Sequence, residues 1–188
     1  MVIDWIIDIP RKRADASLVW MRAFFEHFDT TKLSSLRIDR GNHKYEGVYG
    51  ACYFPTKQRP TFWIDCHVPG PFPGLTVTRG KPLYRRPDGT FPRAPRGCRR
   101  GLRCVDPNSG RQWYRVLGKT RLDTLDEAVV WIVSHESFHF LRRTRQIPGR
   151  DNGIEADRFA DKNLEAFRVD RRKNVPFLGK QITFSWVC

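Results

Sequence analysis

A chain of 188 residues, 40% hydrophobic and 13% aromatic, is long enough for one cored domain, short for two, and too apolar for a disordered polymer. No apolar run reaches bilayer-spanning length, and five cysteines, an odd number, do not close a disulfide framework. The charge is lopsided: 34 Lys and Arg against 20 Asp and Glu give +14, a field that draws nucleic acid or acidic protein surfaces.

The first nine residues alternate loosely and read as a strand. They carry acids where a secretion leader would carry basic residues, which points to a cytoplasmic protein. From Ala14 to Phe28 the apolar positions Leu18, Met21, Phe24, Phe25 and Phe28 recur at three and four, so an amphipathic helix is predicted, capped by Asp15 or Ser17. Leu33 to Ile38 leads into a second strand. Residues 46–54 and 61–68 read as a hairpin. In its second strand Phe62, Ile64, Cys66 and Val68 take one face and His67 the other. Trp63 and Trp131 are candidates for the core.

From Pro69 to about Asn108 Pro and Gly recur, apolar periodicity vanishes and arginine dominates, which predicts a long loop closed by a short strand over Gln112–Leu117. Between Arg79 and Arg121 lie 13 basic residues against two acidic ones, so this stretch carries +11 of the net charge. The expected organisation is a single 1–188 domain with a basic loop at about 69–121. Arg96, Arg99, Arg100 and Arg103 are its candidate contacts to nucleic acid or an acidic partner. Tyr84, Phe91, Trp113 and Tyr114 are interleaved where they could stack on bases. Cys98 and Cys104 lack the close spacing of a zinc knuckle and read as idle thiols.

Thr124-Leu-Asp-Glu127 matches a capping box, and the apolar positions after it run to about Arg145, where Pro148 and Gly149 stop the helix. After Asn152 a second helix carries Ala156, Phe159, Ala160, Leu164 and Phe167 as its stripe. A last strand is predicted around Gln181–Val187. The first of these helices holds His135-Glu136-Ser137-Phe138-His139, the HExxH pattern. Residues four apart share a helical face, so both imidazoles can reach one ion, while Glu136 is placed to hold a metal-bound water and act as general base.

The pattern resembles the zincin metallopeptidases in their gluzincin-type arrangement. Ile154-Glu-Ala-Asp-Arg-Phe-Ala160 resembles the downstream helix of the minimal ImmA/IrrE-type peptidases that cleave phage repressors. The resemblance covers about residues 124–168. It implies Zn2+, with His135 and His139 as ligands and an acidic third ligand on the second helix, four residues before an Asp that supports a ligand His. That place is Gly153 here. Glu155 in a shifted register, Asp157 with Asp161 behind it, or a group from elsewhere such as His67 backed by Asp65 would then complete the site.

The expected fold is α+β: a small, mostly antiparallel sheet packed with the HExxH helix and the helix after it, zincin-like. The expected function is zinc-dependent hydrolysis of peptide bonds in a protein substrate, with one associated with nucleic acid as a candidate and an edge strand of the 46–68 hairpin pairing with extended substrate. The alternative is a basic nucleic-acid- or partner-binding protein whose metal site is structural or degenerate.

Overall fold

The computed structural model describes residues 3–10, 14–41 and 47–172. Asp4–Asp8 (β1) runs into Asp15–Phe25 (α1), which crosses over to Leu33–Asp39 (β2), parallel to β1. Tyr49–Tyr53 (β3) and Phe62–His67 (β4) form the predicted hairpin, and β4 pairs parallel to β2. The resulting sheet has the order β1-β2-β4-β3, with β3 the antiparallel edge. Antiparallel pairing does not dominate this sheet as expected. A helix between two strands is the connection that parallel neighbours require, and α1 supplies it.

Stretch 69–108 is not one loop. Gly74–Tyr84 (β5), Arg99–Val105 (β6) and Gln112–Leu122 (β7) build a second, antiparallel sheet in the order β5-β7-β6. Its strands escape a periodicity reading because basic residues stand on both faces and bulges break the register after Gly80 and Arg100. The β-branched run Thr76-Val77-Thr78 was the available signal.

Leu125–Arg143 (α2) is the centre of the molecule. Residues 126–134 are all buried, as expected of a helix covered on every side. Phe140 packs edge-on to Phe62 of β4, with centroids 5.3 Å apart. Gly153–Arg172 (α3) closes the core from the other side: Phe159 meets Phe24 of α1 and Phe167 meets Trp20, each at 6.0 Å. The predicted α3 stripe is buried throughout. Trp131 is in the core as expected, but Trp63 stacks on Tyr53 on the outer face of the sheet, with the Arg59 guanidinium 3.9 Å from its centroid. Among the described residues no helix is long and apolar enough to cross a membrane.

The caps set the helix positions. Thr124 Oγ1 accepts from the Glu127 N–H at 3.2 Å, as the capping box predicts, while the Glu127 carboxylate accepts from Asp123 N–H. Asn152 Oδ1 accepts from the N–H groups of Ile154 and Glu155, fixing the start of α3. Neither Asp15 nor Ser17 caps α1. Asp126 of α2 does so from a distance, accepting from Ser17 N–H at 2.9 Å. The expected strand at Gln181–Val187 lies outside the described residues.

Candidate metal site on helices α2 and α3

His135 and His139 lie one turn apart on α2, with ring centroids 5.4 Å apart. Each turns its Nδ1 to a carboxylate supplied by the chain after the helix. His139 Nδ1 hydrogen-bonds Asp151 Oδ1 at 2.6 Å, and Asp151 also accepts from Arg143 Nε. His135 Nδ1 lies 2.9 Å from Asp157 Oδ1. That contact is at ion-pair distance but out of line for a hydrogen bond, so the buried Nδ1 has no aligned partner among the described residues. A carboxylate on Nδ1 fixes the ring and leaves Nε2 as the donor, the usual backing of a metal-ligating histidine.

Asp157 is 3% exposed, and its second oxygen accepts the Arg79 N–H at 2.5 Å. It therefore ties the outer edge of β5 to α3 behind the histidines. At Asp151 burial pushes the carboxyl upward, but the hydrogen bond and charge of His139, together with Arg143, outweigh it and hold the group below its ordinary value.

Glu136 is 5% exposed, with Oε1 4.0 Å from His135 Nε2. Burial raises its pKa, against the pull of both imidazoles and the Cys52 N–H. The edge strand β3 passes directly over it. A Cβ on Gly50 would lie 3.0 Å from Glu136 Cγ and 3.2 Å from Oε1, so only glycine lets the carboxylate lie so close to the strand. Sequence reasoning did not find Gly50, although a glycine inside a strand marks close approach by another group. Cys52 follows it on the same side. Burial, with Glu136 and Asp151 nearby, pushes its thiol well above the ordinary value.

The third ligand is where family pattern and structure part. The side chain of Glu155 is 40% exposed and pairs with Arg158 at 2.8 Å. Asp157 serves the Nδ1 side of His135, away from the donor nitrogen. Asp161 is not behind it, since its Oδ1 accepts from Thr120 Oγ1 and Trp131 Nε1, each at 2.9 Å. His67 is on the opposite face of β4 from α2. It is paired with Asp39 at 2.5 Å rather than with Asp65, beside an open pocket of about 840 Å3 at the carboxyl ends of β1, β2 and β4. Over Gly153 lies the Arg79 side chain. Among the described residues no three His, Cys, Asp or Glu side chains are grouped to hold an ion. Two imidazoles beside a buried carboxylate are donors of the kind zinc takes, and among the described residues no third protein donor joins them.

The four arginines expected to contact a polyanion are divided by the second sheet. Arg100 and Arg103 share a face with Tyr114, where Arg100 donates to the carbonyls of Phe91 and Pro92, and Arg103 donates to Gln112 Oε1. Arg100 thereby fastens the 85–98 segment down. Arg99 points to the other face, and Arg96 is exposed in a turn. Cys98 and Cys104 are free thiols. No family model, no curated protein and no solved structure matches this chain.

Proposed function

We propose that the chain is a zinc-dependent endopeptidase that cuts an extended protein segment seated along β3. One juxtaposition supports this reading: Glu136 is buried, its Oε1 4.0 Å from His135 Nε2, and pressed against Gly50 of β3, the edge strand of its sheet among the described residues. An edge strand offers unpaired N–H and C=O groups to an incoming strand, and this one would deliver the scissile bond to the base.

His135 and His139 would hold the ion through Nε2, with Asp157 and Asp151 fixing the rings. When bound, zinc would polarise the scissile carbonyl and acidify a water. Glu136, its pKa raised by burial, takes a proton from the attacking water as the water oxygen bonds to the carbonyl carbon. It passes that proton to the amide nitrogen as the C–N bond breaks. A substrate associated with nucleic acid would suit the net charge of +14.

The experiment pairs zinc analysis with cleavage of an unstructured peptide library, using the parent chain and Glu136→Gln. The variant should keep its zinc and lose turnover by about 10²-fold or more. A chain that stays zinc-free under supplementation, or a variant that cleaves as well as the parent, would end the reading. The Arg79 side chain over Gly153 favours a second reading, a basic binding protein whose metal site is structural or degenerate. Stoichiometric zinc with no cleavage in the library would select it.

A further inference from the structure

Strand alternation sorts the basic residues of the second sheet by face. On β7 the odd positions Trp113, Arg115, Leu117, Lys119 and Arg121 point one way, and pairing adds Leu75, Arg79 and Tyr84 from β5, Arg79 at the edge with its side chain over Gly153, and Arg99 and Cys104 from β6. The even positions point the other way and include the buried Val116 and Leu122. That inner face is covered in part by the 85–98 segment, through Phe91 on Tyr114 at 4.8 Å and Cys98 near Gly118. The odd face is open: Arg99, Arg115, Lys119 and Arg121 are all exposed, as are Leu75 and Tyr84.

The open face has a regular charge spacing. Same-face residues on a strand repeat at about 6.8 Å. Arg115, Lys119 and Arg121 follow this repeat with one gap, at Leu117. Arg99 of β6 is registered opposite Leu117 and fills that gap. The row ends at Trp113 and Tyr84, whose rings are 6.1 Å apart, with the Arg111 guanidinium 3.8 Å from the Tyr84 centroid. The three strands contain no Asp or Glu. Arg121 pairs with Asp123, while Arg99, Arg115 and Lys119 form no ion pair among the described residues.

We propose that this face is a binding site for single-stranded nucleic acid. The phosphates would follow the row Arg121, Lys119, Arg99 and Arg115, and bases would stack at Trp113 and Tyr84. An acidic protein would use the charges but leave the aromatic end idle. A duplex hides the faces of its bases and could use only the row. Cations at strand spacing that end in aromatic rings are the combination that single-strand binders use. The inference does not depend on the metal site.

The test is fluorescence anisotropy of a labelled 20-nucleotide polythymidylate with the intact chain, at several salt concentrations. Unlabelled duplex of the same length and polyglutamate serve as competitors. The single strand should bind and outcompete both. Arg115→Gln with Lys119→Gln should weaken binding and flatten the plot of log affinity against log salt by about 0.7 per cation removed. Tyr84→Ala, and Trp113→Ala if its melting midpoint is unchanged, should each weaken binding about tenfold. Arg158→Gln with Arg172→Gln removes the same charge from α3 and should change little. The proposal is overturned if no binding is seen at low salt, if polyglutamate or duplex competes as well as the single strand, or if the α3 pair matters as much as the sheet pair. Unchanged affinity in the folded Tyr84→Ala variant would also overturn it.

Discussion

Arg79 fills the space that a side chain on Gly153 would need. A Cβ at Gly153 would lie 2.0 Å from Arg79 Nη1 and 3.1 Å from its Cζ. The sheet that carries Arg79 is fastened there by its N–H bond to Asp157, so a cation from β5 covers the place where the resemblance to zincins would put an anionic ligand. A glutamate at 153 would lie one turn before Asp157, on the same face of α3. Gly153→Glu combined with Arg79→Ala should therefore bind zinc at least tenfold more tightly than the parent, about 1.4 kcal/mol or more. Gly153→Glu alone should gain less, because the arginine would pair with the new carboxylate. Competition against a chromogenic chelator measures both, and equal affinity in parent and double variant would show that position 153 does not face the ion.

Asp151 tests the other histidine. It hydrogen-bonds His139 Nδ1 and is itself held by Arg143, contacts that would fix the orientation of a metal-ligating ring. Asp151→Asn should lower zinc affinity by about 10- to 100-fold while leaving the melting midpoint of the zinc-free chain within a few degrees. A variant that melts early and binds zinc normally would make Asp151 a structural residue.

Much of this site could be read from the chain because helices are local. The HExxH spacing, the Thr124 cap, the apolar stripe of α3 and the alternation of β4 all depend on residues within a few positions of one another, and each is found as expected. What could not be read depends on distant pairs. Ser17 N–H is capped by Asp126, 109 positions away, and no local rule would choose Asp126 over Asp15. Arg79 and Gly153 meet only because β5 forms, and a bulge after Gly80 breaks the alternation that would announce that strand. Gly50 lay within reach of reasoning, yet its partner Glu136 is 86 positions away.

The end of α2 carries a correctable strain. Arg145 has φ 62, the left-handed conformation that glycine adopts freely. The Gln146 N–H bonds to the Leu141 carbonyl at 2.9 Å and the Arg145 N–H to that of Arg142, which is the hydrogen-bond pattern of a Schellman termination. Arg145→Gly should therefore stabilise the fold by about 1 kcal/mol, seen as a higher urea midpoint at unchanged slope. A lower midpoint would mean that the Arg145 side chain contributes more than its backbone costs.

Asp39, at the end of β2, should give the fold a measurable acid dependence. Its Oδ1 accepts from Gly41 N–H at 2.7 Å and meets His67 Nδ1, and its Oδ2 lies 3.1 Å from Arg37 Nε. Burial pushes the carboxyl upward, but the His67 hydrogen bond, the Gly41 N–H and the neighbouring charges outweigh it, so its native pKa lies below the ordinary value. Between those two values the unfolded chain binds the proton that the folded chain refuses. Stability therefore rises with pH across that interval, is complete above the ordinary aspartate pKa of about 3.9, and is lost as pH falls through the native value. Asp39→Asn should cost about 1–2 kcal/mol at neutral pH, and the gap should close as the pH is taken well below about 3.9. Urea midpoints of the parent and variant across that range decide it. A difference independent of pH would assign the loss to packing and not to the charge on Asp39.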